Sequence, residues 1–228
     1  MKIIEKGIMK KLLLVLLVLI VLSFTLYQKA ANQRNAAAQY NLGMIYEKGQ
    51  GVKQNYIKAA KLYQKAADQE HAGAQANLGF LYYYGQGVKQ NYIKTAKLYQ
   101  KASNQGNALA QYNLGIMYEK GQGVTQNYVK AAKFYQKAAD QGDAAAQANL
   151  GFMYYKGQGV TQSYVKAAKF YQQAANQGDT SAQNKLGSMY VKGKGVQQSN
   201  VKAKELFRKA CAGGSEWGCK AYAILNKR

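Results

Sequence analysis

The chain has one histidine, one tryptophan, two cysteines and no proline among its 228 residues, and only 10 acids stand against 32 lysines and arginines. A zinc centre wants several His, Cys or carboxylate ligands converging, and a lone His71 among sparse acids excludes the usual sets. No metal and no other cofactor is expected. Paired carboxylates for hydrolysis would have to be Glu47 and Glu119, which stand in matching columns of units two apart and so at separate points along the chain. Glycine-rich G-x-G runs are present, but no strand precedes them and no G-K-[ST] completes them, which removes a phosphate-cradling loop. Without proline, no helix carries an imposed break.

What fills the chain instead is repetition. A Leu–Gly pair returns at Leu42–Gly43, Leu78–Gly79, Leu114–Gly115, Leu150–Gly151 and Leu186–Gly187 with no insertion or deletion between copies. A fixed period of this size marks a solenoid, in which each unit is one supersecondary element that buries its apolar face only against its neighbours. The units run over about 35–70, 71–106, 107–142, 143–178 and 179–214, preceded by a half unit at 24–34 and followed by a C-terminal cap at 215–228.

Each unit resolves into two helices. The first, about Ala36 to Lys48, sets Ala38, Leu42 and Ile45 at i, i+4 and i+7, an apolar helical stripe. Asn35, His71, Asn107, Asp143, Asp179 and Ser215 precede successive first helices, mostly side chains able to accept from exposed helix-start N–H groups. Gly49 and Gly51, with their counterparts, fit a left-handed helix C-cap and a tight reversal. The second helix starts after Asn55, Asn91, Asn127, Ser163 or Ser199 and runs to about Ala67 or its equivalent, with Tyr56, Ala59, Ala60, Tyr63, Ala66 and Ala67 as its buried stripe. Lys58, Lys61 and Lys65 fall on another face, and their counterparts continue a lysine ladder that reads as a solvated face.

The formal charge of +22 suits an anionic partner or plain solubility. Because the lysines are dispersed at helical spacing rather than clustered, solubility is the better reading, and no nucleic-acid partner is expected. At the N-terminus Lys2, Lys6, Lys10 and Lys11 precede eleven unbroken aliphatic residues, Leu12 to Leu22. That length matches a secretory h-region better than the roughly 20 residues of a membrane span. Residues 1–23 are therefore expected to be a signal peptide cleaved after Ser23, giving a periplasmic or secreted protein, with an uncleaved inner-membrane anchor as the alternative. No cysteine follows the apolar run, which argues against a lipoprotein.

The run A-x-A-Q-x-x-L-G-x-x-Y-x-x-G-x-G-V, followed by a helix with K-A-x-x-x-Y-x-x-A-A, is similar to the Sel1-like repeat, a relative of the tetratricopeptide repeat with a longer loop inside the unit. The likeness covers Phe24 to the C-terminus. It implies an all-α, right-handed α/α superhelix used mainly as an adaptor in protein complexes, often in bacterial envelopes. Cys211 and Cys219, in Lys209-Ala210-Cys211 and Gly218-Cys219, resemble the cysteine pairs of the Helicobacter cysteine-rich family, secreted Sel1-type proteins described as penicillin-binding or weak β-lactamases. In that family a disulfide ties a second helix to the next first helix at nearly every unit, whereas only the last junction here has the pair. A Cys211–Cys219 bridge also suits an exported chain with two cysteines at one helix–helix turn, stapling a terminal helix whose Trp217, Tyr222, Ile224 and Leu225 have no further unit to cover them. A CxxC-type redox site lacks the spacing.

A serine β-lactamase needs S-x-x-K together with S-D-N and K-T-G. Ser163…Lys166 and Ser199…Lys202 fit the first, yet the same columns earlier read Asn55…Lys58, Asn91…Lys94 and Asn127…Lys130, and the other two motifs are absent. Serine there replaces asparagine as a cap. More informative is what alternates. Tyr40/Glu47 and Tyr112/Glu119 belong to odd units, Ala76/Tyr83 and Ala148/Tyr155 to even ones, on one face of the first helix, the helix that lines the concave surface of such arrays. With Asn41, Asn77, Asn113 and Asn149 they define a candidate partner-binding groove of Tyr40, Asn41, Glu47, Asn77, Tyr83, Tyr112, Asn113, Glu119, Asn149 and Tyr155, suited to an extended peptide or a glycan. The Tyr46 and Tyr63 columns read as packing between helices. The expectation is an exported, non-catalytic scaffold for a protein or peptide, with a β-lactamase-like hydrolase and a peptidoglycan binder as the alternatives.

Overall fold

A computed structural model describes residue 12 and residues 25–227. The expected signal segment, residues 1–23, lies outside the described residues apart from Leu12. All regular structure among the described residues is helical: residues 25–32 (α1), α2 (Ala36–Lys48), α3 (Tyr56–Ala67), α4 (Ala72–Tyr84), α5 (Tyr92–Asn104), α6 (Ala108–Lys120), α7 (Tyr128–Asp140), α8 (Ala144–Lys156), α9 (Tyr164–Asn176), α10 (Thr180–Lys192), α11 (Asn200–Ala212) and α12 (Glu216–Asn226). The all-α repeat architecture is the one the 36-residue period predicts. The chain divides into two compact units, Met1–Asn107 and Ala108–Arg228, each holding two full hairpins or more.

The helix starts are set by the residues that the repeat places there. Asn35 Oδ1 accepts from the Ala38 N–H at 2.9 Å, His71 Nδ1 from Ala74 at 3.1 Å, Asp143 Oδ1 from Ala146 at 2.7 Å and Asp179 Oδ1 from Ala182 at 2.6 Å. Second helices open on Asn55, Asn91 and Asn127 at 2.9 Å, then on Ser163 and Ser199 at 3.3 Å. First helices close on glycines in the left-handed region, such as Gly49 at φ 68° and Gly157 at φ 69°.

The Leu–Gly pair has a packing cause. The ring of Tyr63 lies so close over Gly43 that a Cβ there would sit 2.6 Å from Tyr63 Cε1, and Gly115 under Tyr135 and Gly187 under Phe207 repeat the arrangement at 2.7 and 2.4 Å. The second glycine of the G-x-G at Gly87, Gly159 and Gly195 seats the loop on the preceding repeat. A Cβ on Gly87 would fall 2.3 Å from the Tyr56 carbonyl carbon, and one on Gly159 2.3 Å from the Tyr128 oxygen. Between these contacts the core is largely alanine, with Ala59, Ala66, Ala74, Ala138, Ala146 and Ala174 fully buried, so helices approach closely.

A buried glutamine ladder runs through the repeats. Gln39, Gln75, Gln147 and Gln183 each donate from Nε2 to a carbonyl of the preceding second helix, at Ala31, Ala67, Ala139 and Ala175. In return Gln69 donates to Gln39 Oε1 at 2.7 Å, Gln105 to Gln75 at 2.9 Å, Gln141 to Gln111 at 2.7 Å and Gln177 to Gln147 at 2.8 Å. The last rung is incomplete: Gly213 stands in the donor column, and the buried Gln183 Oε1 has no partner.

On the second helices, part of the lysine ladder is engaged rather than merely solvated. Lys58, Lys94, Lys130, Lys166 and Lys202 place Nζ 5.0 to 5.4 Å from the ring centres of Tyr46, Tyr82, Tyr118, Tyr154 and Tyr190. At the C-terminal end Cys211 of α11 and Cys219 of α12 are disulfide-bonded, with their Cα atoms 4.5 Å apart. Phe207 meets Trp217 edge-on at 5.2 Å, while Trp217 and Ile224 stay more than half exposed.

Candidate functional site

All ten predicted groove residues lie half-buried on the first helices. In the unit Met1–Asn107 the Tyr63 hydroxyl donates to Glu47 Oε2, and Asn77 Nδ2 of the next repeat donates to the Tyr63 oxygen at 3.1 Å. Tyr40 packs 5.8 Å from the Tyr63 ring and stacks on His71 at 4.7 Å. Here Glu47, Tyr40 and Asn77 are thus drawn together, and what joins them is Tyr63, a column expected only to pack. Tyr83 makes edge contacts with Tyr84 and Tyr92.

The unit Ala108–Arg228 repeats the arrangement. The Tyr135 hydroxyl donates to Glu119 Oε2 at 2.5 Å, Asn149 hydrogen-bonds both Tyr112 and Tyr135, and the Tyr112 and Tyr135 rings lie 5.9 Å apart. Burial first, and then the adjoining carboxylate, push the Tyr63 and Tyr135 hydroxyls far above the ordinary tyrosine range. Each therefore stays a hydrogen-bond donor that holds its glutamate in place. Structurally, then, the odd repeats present a carboxylate already bound by the protein's own phenol.

The even repeats differ because tyrosine replaces that glutamate. Tyr155 meets Tyr164 edge-on at 5.1 Å, and Lys194 Nζ lies 5.0 Å from the Tyr164 ring centre. Between α8 and α10 a cavity of about 200 Å³ opens, lined by Tyr155, Tyr171, Lys156, Lys185, Ser188 and Lys192 among others. Lys185 stands where the preceding repeats carry Asn41, Asn77, Asn113 and Asn149. That break in the column is the signal by which the sequence reveals this cavity.

The serines of the two S-x-x-K runs are committed elsewhere. Ser163 Oγ accepts from the Lys166 N–H and Ser199 Oγ from the Lys202 N–H, while both ammonium groups lie over tyrosine rings. This is the capping geometry that asparagine supplies in the other repeats.

The family model of the Sel1 repeat matches residues 20–35, 36–71, 72–107, 108–143, 144–179 and 180–215. The chain belongs to the Sel1 repeat family. Among solved structures it is similar to c5321, a protective antigen present in uropathogenic Escherichia coli strains, at 37% identity and a TM-score of 0.82 over 84% of this chain. It spans 41% of the c5321 chain. A Sel1 repeat protein of Oxalobacter formigenes is 35% identical with a TM-score of 0.77, covering 83% of this chain and 76% of its own. No curated protein matches the sequence.

Proposed function

We propose that the chain is an exported scaffold that binds a protein or peptide through the tyrosine-, asparagine- and glutamate-lined face of its first helices, without an active site of its own. The observation that carries this reading is the pair of pre-formed clusters Glu47–Tyr63–Asn77 and Glu119–Tyr135–Asn149. Each fixes polar groups half-buried at the surface of the first helices, so little ordering remains to be paid when a partner arrives. Tyr40 and Tyr112 supply rigid amphipathic rings beside them, the residue type enriched at protein interfaces. Sel1 repeat proteins generally bind protein partners, which supports the reading.

Export rests on the basic, then aliphatic N-terminal run. The Cys211–Cys219 disulfide suits an oxidising compartment.

The test is affinity capture of envelope proteins by the chain and by its Tyr40→Ala/Tyr112→Ala variant. Alanine already occupies that column at Ala76 and Ala148, so the variant keeps the fold. A partner bound by the parent and lost by the variant is expected. Equal recovery by both forms would show that this face is not the binding surface.

A further inference from the structure

The second and fourth repeats lack a pairing that the first and third make. Where the second helix carries a tyrosine hydroxyl in the odd repeats, the first helix supplies its acceptor: Glu47 for Tyr63, Glu119 for Tyr135. Where the fifth repeat has Val191 in the acceptor column, the hydroxyl is dispensed with as well, and the ring is Phe207. The second and fourth repeats keep the hydroxyl, on Tyr99 and Tyr171, but have Tyr83 and Tyr155 in the acceptor column, and it is the fourth whose hydroxyl meets a cavity lined by lysines.

Tyr171 is 3% exposed and makes no hydrogen bond among the described residues. Its oxygen is not among the sealed polar atoms, and its side chain lines the cavity between α8 and α10. The same cavity is lined by the ammonium-bearing Lys156, Lys185 and Lys192 and by no carboxylate. Tyr171 thus brings a donor with solvent access and no protein partner to a cavity lined by lysines, a place suited to an anion.

We infer that this cavity takes an aspartate or glutamate side chain of the bound partner, in the role that Glu119 plays for Tyr135 one repeat earlier. The site rests on the protein-binding reading above and specifies it: the partner is a peptide segment with an acidic residue, received by the Tyr171 hydroxyl and paired with Lys185 and its neighbouring lysines. A second hollow lies alongside, of about 270 Å³, sharing Lys185 and Ser188 and reaching Trp217.

The decisive variant is Tyr155→Glu, which restores the internal carboxylate and fills the place from within. Glutamate is native to that column in the first and third repeats, so the fold is kept. Lys133→Gln on the exposed side of α7 lowers the net charge by the same amount away from the cavity and controls for unspecific attraction of acids to a basic chain. Random dodecapeptides displayed on phage are selected at physiological salt against the parent, Tyr155→Glu and Lys133→Gln. One selected peptide is then synthesised with its acid and with glutamine in that place.

The parent and Lys133→Gln are expected to select peptides sharing one acidic position, and Tyr155→Glu is expected to lose that preference. The acid-to-glutamine peptide is expected to bind the parent at least about tenfold more weakly, as for loss of a charge-assisted hydrogen bond. Selection of peptides without a shared acid, or the same acidic preference in Tyr155→Glu, overturns the inference and leaves the protein-binding reading standing. If no peptide is selected by any form, the inference and that reading fall together.

Discussion

The incomplete rung at Gln183 makes a quantitative prediction. Gln105, Gln141 and Gln177 sit at φ/ψ of −91°/10°, −88°/5° and −88°/5°, and Gly213, which holds their column in the last repeat, sits at −81°/8°. A glutamine at 213 is therefore already in the right backbone conformation to donate to Gln183 Oε1. What stands in its way is Thr180, whose Cγ2 would lie 2.5 Å from the new Cβ. The other full repeats carry alanine at that position: Ala36, Ala72, Ala108 and Ala144. In Thr180→Ala/Gly213→Gln the buried carbonyl gains its donor, relieving about 1–3 kcal/mol of desolvation. Removing a glycine adds about 0.4–1 kcal/mol through the unfolded chain, and ordering the glutamine costs about 1–2 kcal/mol. The net is roughly 1 kcal/mol of stabilisation, or about 2–4 °C in Tm for a chain of this size. Thermal unfolding, with hydrogen exchange in α10 to α12, compares this variant with Thr180→Ala and with Thr180→Ala/Gly213→Ala, which isolates the glycine effect. Gly213→Gln alone is expected to destabilise. If the glutamine variant is no more stable than the alanine one, the orphaned carbonyl is not a defect and the ladder contributes nothing at that end.

Three further outcomes follow from the packing. Tyr63, Tyr99, Tyr112, Tyr135 and Tyr171 are all raised above the ordinary value of 10, with burial the leading cause, so the native state holds protons that the unfolded chain releases. Their contribution to stability is intact below pH 10 and is lost as pH climbs beyond it; ultraviolet titration should show these phenols ionising only together with unfolding. Ionisation of all 20 tyrosines in one early step, with the helix signal intact, would contradict this burial. Gly159→Ala combines a φ of 71° with a contact of 2.3 Å to the Tyr128 oxygen, and should cost roughly 2–4 kcal/mol in denaturant unfolding. Reduction of Cys211–Cys219 reopens a loop with a sequence separation of 8, worth about 2–3 kcal/mol, and the loss of exchange protection should be confined to α11 and α12.

The helices and their caps are legible in the sequence because each is a local device: an asparagine or serine three residues before the N–H it accepts, a glycine where the chain turns left-handed. The role of the Leu–Gly glycine is not local. It depends on Tyr63 lying over Gly43 from the facing helix, and a sequence pattern shows the column without showing the ring. The same holds for the glutamines, whose partner in the ladder is 30 residues away. As for the candidate site, the alternation of Tyr40/Glu47 with Ala76/Tyr83 is visible as a pattern. Its meaning is not, because the joining residue, Tyr63, belongs to a column whose ring packing alone accounts for its presence.

That joining residue also explains why repeats alike in backbone differ in chemistry. A column that buries a phenol ring leaves its hydroxyl to be met by a protein acceptor or through an opening to solvent. The first and third repeats supply glutamate, the second and fourth set Tyr83 and Tyr155 in that column, and the fifth uses Phe207 beside Val191. In the fourth repeat that opening is lined by Lys156, Lys185 and Lys192, which is why an anion is the group inferred to meet Tyr171.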